Sequence, residues 1–109
     1  MAWVVEILDH RVQAELEGLP DDMLARFRRI VELIQAYGIE QIHEPHGKHL
    51  KGPLWEMRMK GRDGISRAIY VTAKGRRVIV VRVFVKTTQK TPKREIDLAM
   101  QRAKEVDDR

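Results

Sequence analysis

Four cations, Arg58, Arg67, Arg82 and Lys86, fall in three apolar segments that alternate with a period of two, Leu54–Lys60, Ile65–Ala73 and Arg77–Lys86. A period of two puts alternate side chains on one face of a strand. Arg58, Arg82 and Lys86, with Arg67 from the middle segment, are therefore expected side by side on a single sheet face, with Glu56 next to Arg58. Such a face can hold nucleic-acid phosphates, and it can also cleave RNA. Attack by the RNA's own 2′-OH needs no metal and no protein nucleophile. It needs a base for the 2′-OH proton, positive charge on the pentavalent phosphate, and an acid for the leaving 5′-oxygen. Guanidinium supplies the charge, bidentate to phosphate oxygens. A lysine crowded among other cations has a lowered pKa and becomes a better acid, and Lys86 is placed for that role. Glu56 is either a base or the partner that orients Arg58; orientation is the favoured role.

The surrounding charge agrees. Fourteen of the 21 Lys and Arg residues lie between His43 and Arg94, with three acids, for a formal +11. Residues 1–42 carry −4 and residues 95–109 carry −2. A basic block between acidic flanks is the footprint of a polyphosphate partner. Lys48, His49 and Lys51 enter from the segment before the first of these strands. Together with Lys60, Arg62, Arg76, Arg77, Lys90 and Lys93 they are expected to bind RNA. Phe84, in phase with Arg82 and Lys86, is the candidate for base stacking. Trp55 belongs to the apolar set of its strand and is expected in the core, as is Tyr70.

Other chemistries are disfavoured. The chain has no cysteine, which removes disulfides, thiolate metal sites and cysteine nucleophiles. His43, His46 and His49 recur every third residue, but Pro45 and Gly47 break any helix that would align them, so no metal site and no cofactor are expected. No apolar run approaches the ~18 residues of a membrane span, and the first residues lack the charged and hydrophobic regions of a signal peptide.

One domain is expected over residues 1–109. Trp3–Leu8 reads as a strand. Asp9 can cap a short helix with Val12 and Leu16 inward and Gly18 at its end. Pro20, Asp21 and Asp22 open a second helix whose stripe is Met23, Phe27, Ile30, Ile34 and Tyr37. Residues 39–53 read as a loop. Three strands follow, the last two joined by a two-residue Lys74-Gly75 turn. Thr91 as N-cap and Pro92 as first helical residue start a final helix. The order β-α-α-β-β-β-α predicts an α+β domain: a mostly antiparallel four-stranded sheet, the helical hairpin on one face, the basic face partly open.

The quoted residues also carry a resemblance. Leu54-Trp55-Glu56-Met57-Arg58, Arg67 with Tyr70 three on, the run from Phe84 through Lys86 and Lys90 to Thr91-Pro92, and Glu95-Ile96 with Ala99 resemble the RelE/ParE toxin superfamily, in particular its phage-related HigB-like branch, over residues 48–105. The resemblance implies a small microbial-ribonuclease-like fold. It implies a toxin of a type II toxin–antitoxin module, acting in the cytoplasm as a metal-independent, ribosome-dependent endoribonuclease on mRNA. It further implies a cognate antitoxin, usually a small helix-turn-helix protein, through which alone operator DNA would be met. Arg67 falls on the family's central strand arginine, Arg58 on the arginine of the Trp-Glu-x-Arg strand, and Lys86 where members place histidine, tyrosine or a basic residue. His46, with Glu44, sits where some members carry a general base. Two departures stand out. No aromatic residue lies near the C-terminus, and Arg82 replaces a position expected to be small or histidine. Other members poison DNA gyrase without catalysis, and a plain nucleic-acid-binding module is the remaining alternative.

Overall fold

Strand pairing links the two ends of the chain. β1 (Val4–Ile7) runs parallel to β5 (Arg77–Lys86), with Val4 opposite Arg77 and Ile7 opposite Val80. Between them in sequence lie α1 (His10–Glu17), α2 (Asp21–Tyr37), β2 (Gly47–Lys51), β3 (Leu54–Gly61) and β4 (Gly64–Ala73), and α3 (Lys93–Ala103) follows. The computed structural model describes residues 2–42, 47–86 and 90–106. The sheet has the order β1-β5-β4-β3-β2, antiparallel apart from the β1–β5 pair.

The helical hairpin forms as its sequence dictates. The Asp9 carboxylate accepts from the Arg11 backbone N–H at 3.0 Å and caps α1, which ends at Gly18. Asp21 and Asp22 sit in the first turn of α2, at the positive end of its dipole. Met23, Phe27, Ile30 and Ile34 are buried against Met57, Met59, Ala68, Tyr70, Val78, Val80 and Val83 of the sheet. Burial of each such side chain stabilises by about 1.5–3 kcal/mol. Tyr37, the last member of the expected stripe, is not buried with the others but 70 % exposed. Gly38, at φ +100°, ends the helix with its N–H on the Ile34 carbonyl.

Several expectations change. The sheet has five strands, not four, because Gly47–Lys51, expected as loop, pairs with β3. Its sequence Gly-Lys-His-Leu-Lys has no apolar alternation, so pairing rather than pattern makes it a strand. Gly52 (φ +52°) and Pro53 close the tight turn to β3. Residues Ile39–Gln41 form a 3₁₀ turn. The β4–β5 turn is one residue longer than expected, with both Gly75 (φ +82°) and Arg76 (φ +57°) left-handed.

The second sheet face is only partly open, as expected, because a helix covers one end of it. α3 lays Ala99 and Ala103, flanked by Ile96 and Met100, over Leu54, Ile69, Val71, Ile79 and Val81. A bulge explains why alternation misplaced two of these. The β4–β5 register shifts between Ile69 and Tyr70, which face Arg82 and Val80. The extra residue lets Ile79 and Val81 join Phe84 beneath α3, while Val78, Val80 and Val83 face the hairpin.

Candidate functional site

The cross-strand register gathers the cations. Arg58 of β3 lies opposite Arg67 of β4, which lies opposite Phe84 of β5. Lys48 of β2 lies opposite Glu56, so it shares their face. Lys86, at the end of β5, completes the group from the next rung, opposite Ile65.

Glu56 is the centre of this arrangement and is fully buried. Its Oε2 accepts from Arg67 Nη1 and from Arg58 Nε, the latter at 3.1 Å. Its Oε1 accepts from the Thr91 hydroxyl at 2.6 Å, and the same hydroxyl accepts from Arg67 Nη1 at 3.2 Å. Both carboxylate oxygens are thus engaged, one by the two guanidiniums and the other by the hydroxyl. Arg67 is also buried, while Arg58 keeps about a quarter of its side chain exposed. Burial, and then the neighbouring Arg58 charge, lowers the Arg67 pKa against the opposing pull of Glu56.

Lys86 differs from the other cations. It is 7 % exposed, and among the described residues its ammonium has no hydrogen-bond partner. Burial pushes its pKa down, and the Arg67, Arg58 and Lys48 charges push the same way, with Glu56 opposing. A buried, unpaired donor costs about 1–3 kcal/mol, more when charged, and such groups in a native structure call for an explanation.

A second ionic cluster on the same face provides the contrast. Arg82 donates from Nε to Glu95 of α3 and from Nη1 to Glu15 of α1, both at 2.7 Å. Arg102 donates from Nη1 to Glu15 at 3.1 Å and to the Val81 carbonyl at 2.9 Å. Glu15 also accepts from the Val83 N–H at 3.0 Å, beyond the last β1 residue that pairs with β5. Two acids meet two arginines here, and the cluster staples α1 and α3 to the bulge. Around Glu56, among the described residues, one acid pairs with Arg58 and Arg67, and Lys86 adds a further cation, an excess of two positive charges. The Arg82 cluster is balanced; the Glu56 cluster carries surplus positive charge.

Some expected residues therefore change place. Arg82 is not an open-face cation: Glu95, then Glu15, hold it and raise its pKa. Phe84 is not a stacking platform, since it is 9 % exposed under α3, with the Arg82 guanidinium 5.8 Å from its ring centre. His49 pairs in register with Trp55 and faces away from the cluster; its Nε2 is 2.8 Å from the Gly52 carbonyl. Trp55, expected in the core, is 41 % exposed, its ring 4.8 Å from that of His49. Arg76 and Arg77 lie at the opposite end of β5, about 30 Å from Lys86 by strand rise, with Arg77 on Glu6 at 2.8 Å. Lys51 lies at the β2–β3 turn, next to Leu54. Lys60 shares the cluster's face, and Arg62 is exposed in the β3–β4 turn, its N–H on Asp22 at 2.6 Å. Lys93 is exposed and paired with Asp97 at 2.7 Å, and Lys90 directly precedes Thr91. His46 and Glu44 lie outside the described residues.

Thr91 is the site residue that sequence reasoning missed. Thr-Pro before a helix reads as an N-cap, yet Pro92 occupies that position without a side-chain cap, and the Thr91 hydroxyl turns to Glu56. Glu15 and Arg102 carried no sequence signal, and Glu95 entered only as part of the family resemblance. Among the described residues no group of three His, Cys, Asp or Glu side chains could hold a metal ion, and no helix is long and apolar enough to cross a membrane.

No curated protein matches the chain. The profile of the phage-derived protein Gp49-like family (DUF891) matches residues 14–104. Among solved structures, the chain is similar to a double arginine-to-alanine mutant of the E. coli toxin RelE in the free state, with a TM-score of 0.64 and 18 % identity over 94 % of this chain and 98 % of that one. The fold is thus that of RelE, and the match over residues 14–104 assigns the chain to the phage-derived Gp49-like family, a RelE/HigB-type toxin family.

Proposed function

We propose that this protein is the toxin of a type II toxin–antitoxin module and a metal-independent endoribonuclease that cuts mRNA on the ribosome. The observation that carries the reading is the surplus positive charge around Glu56 among the described residues, with the buried Lys86 ammonium lacking a partner among them beside two guanidiniums. A scissile phosphate seated there supplies the missing anion. Arg58 and Arg67, held by Glu56, stabilise the dianionic pentavalent phosphorus. The 2′-hydroxyl gives its proton to solvent water as its oxygen bonds to phosphorus, the bond to the 5′-oxygen breaks, and Lys86 delivers its own proton to that oxygen. The products are a 2′,3′-cyclic phosphate and a 5′-hydroxyl. The lowered Lys86 pKa brings its acidity closer to neutral pH, where proton transfer is most effective.

Lys48, Lys60, Lys90 and Lys93 extend the basic surface around the site and fit the backbone of a single strand. Family membership implies a cognate antitoxin, and the helix-turn-helix class named by the HigB-like resemblance would be the protein's route to operator DNA. The ribosome and its mRNA would be met in the cytoplasm.

The test is a reconstituted translation reaction with purified wild type, Arg58→Ala and Lys86→Gln, mapping mRNA 3′ ends with and without ribosomes. Cuts at ribosomal A-site codons only with ribosomes, lost in both variants, are expected. Intact mRNA from a protein that still kills cells would refute the ribonuclease reading and move attention to inhibition of gyrase.

A further inference from the structure

We propose that Thr91 is a positioning residue for the Arg58–Arg67 pair: its hydroxyl locks the Glu56 carboxylate in the orientation that aims both guanidiniums. The proposal rests on the reading of this cluster as a phosphate-handling site.

Both arginines use the same carboxylate oxygen, Oε2. A carboxylate held on one oxygen alone can rotate about its terminal bond and exchange Oε1 for Oε2, and each exchange would swing the guanidiniums. Thr91 removes that freedom. Its hydroxyl donates to Oε1 at 2.6 Å while accepting from Arg67 Nη1 at 3.2 Å, so one side chain fixes the free oxygen and the arginine together. Glu56 is fully buried, so bulk water does not substitute for the hydroxyl.

The location adds a consequence. Thr91 lies two residues before α3, which Glu95 and Arg102 fasten to Arg82, Glu15 and Val81. The balanced cluster thereby anchors the helix from whose start Thr91 reaches the unbalanced one. The hydroxyl serves the site instead of the helix end.

The experiment compares the full-length wild type with Thr91→Val, which keeps shape and removes the donor, and Thr91→Ser, which keeps the donor. Thr91→Ala gives the same reading if valine does not fit. Ile34→Val, a core change remote from the site, controls for lost stability. Two quantities are read: the Nε–Hε NMR resonances of Arg58 and Arg67, and kcat and KM for RNA cleavage. Loss of a hydrogen bond to a charged group corresponds to about 10–100-fold in rate. Thr91→Val is expected to shift or broaden the arginine resonances and lower kcat by about that factor, with KM changed far less. Thr91→Ser restores both quantities, and Ile34→Val leaves both unchanged. Arginine resonances unmoved in Thr91→Val overturn the proposal. If the wild type cleaves no RNA, the ribonuclease reading fails by itself, and the resonances still decide the positioning role.

Discussion

Replacing Lys86 by methionine should make this protein more stable while abolishing its activity. The ammonium is buried and, among the described residues, unpaired, so the folded state carries the cost of its desolvation. That cost is about 1–3 kcal/mol for an unsatisfied buried donor. Methionine has a similar length and is apolar, so it fills the same space without the cost. In a domain of this size each kcal/mol moves Tm by about 4–8 °C, so a rise of at least about 4 °C is expected. The pH dependence provides an independent check. The folded pKa of Lys86 lies below its unfolded value, about 10.4, with burial as the first cause. Between those two values the unfolded chain binds more protons than the folded one, so wild-type stability rises with pH across that window. The advantage of Lys86→Met should therefore be complete at pH values below the folded pKa and shrink as pH climbs towards 10. Urea unfolding at several pH values between 7 and 10 measures it. A variant less stable than wild type at pH 7, or a gap that does not narrow with pH, would refute the reasoning and mean that the ammonium is satisfied in the folded protein.

Glu56→Gln leaves Arg67 buried without its counter-charge and should cost about 3–5 kcal/mol. The paired change Glu56→Leu with Arg67→Met should recover most of that in urea unfolding, whereas additive losses would mean the pair is not coupled. Arg82→Ala should lower stability by about 3 kcal/mol, since it leaves Glu95 without its cation and Glu15 with Arg102 alone, while kcat per folded molecule stays near wild type; a selective loss of kcat would place Arg82 in the chemistry. Arg58 is part-exposed, so Arg58→Ala should do the reverse, lowering kcat with a Tm shift of only a few degrees in a melting scan. For single-stranded RNA, each lost phosphate contact should flatten the salt dependence of log K by about 0.7. Lys60→Ala is expected to do so and Arg77→Ala, at the far end of β5, is not.

The parts of the fold that the sequence specifies locally were legible. The 4, 3, 4, 3 spacing of Met23, Phe27, Ile30, Ile34 and Tyr37 marked α2 to its last residue, and alternation marked β3 through β5. What escaped was set by tertiary pairing. Gly47–Lys51 is a strand only because β3 offers it an edge. The bulge opposite Ile69 and Tyr70 reverses the phase of β5 midway, which no periodicity count can register. Trp55 sits in the apolar phase of β3, yet it lies outside the core that the hairpin covers, and its ring packs on His49 at the surface. Alternation reports which face a side chain takes; it does not report how far the covering layer extends.

The same limit applies to the site. Period two placed Arg58, Arg67, Arg82 and Lys86 on one face, and there they lie, but it could not tell their roles apart. The difference comes from which acids reach them. Arg82 meets Glu15 and Glu95, which are 67 and 13 residues away and belong to different helices, and becomes a structural staple. Arg58 and Arg67 share the single carboxylate of Glu56, and Lys86 has none of its own among the described residues. Whether a cation on this face is spent on the fold or left for a ligand depends on the docking of α1 and α3, and therefore on contacts between residues far apart in sequence. A buried carboxylate bonded to Thr91 holds two guanidiniums without neutralising the group, so among the described residues the site is still short of negative charge. In the proposed ribonuclease reaction a phosphodiester would supply that charge, and its charge would grow towards the transition state, when the surplus is worth most.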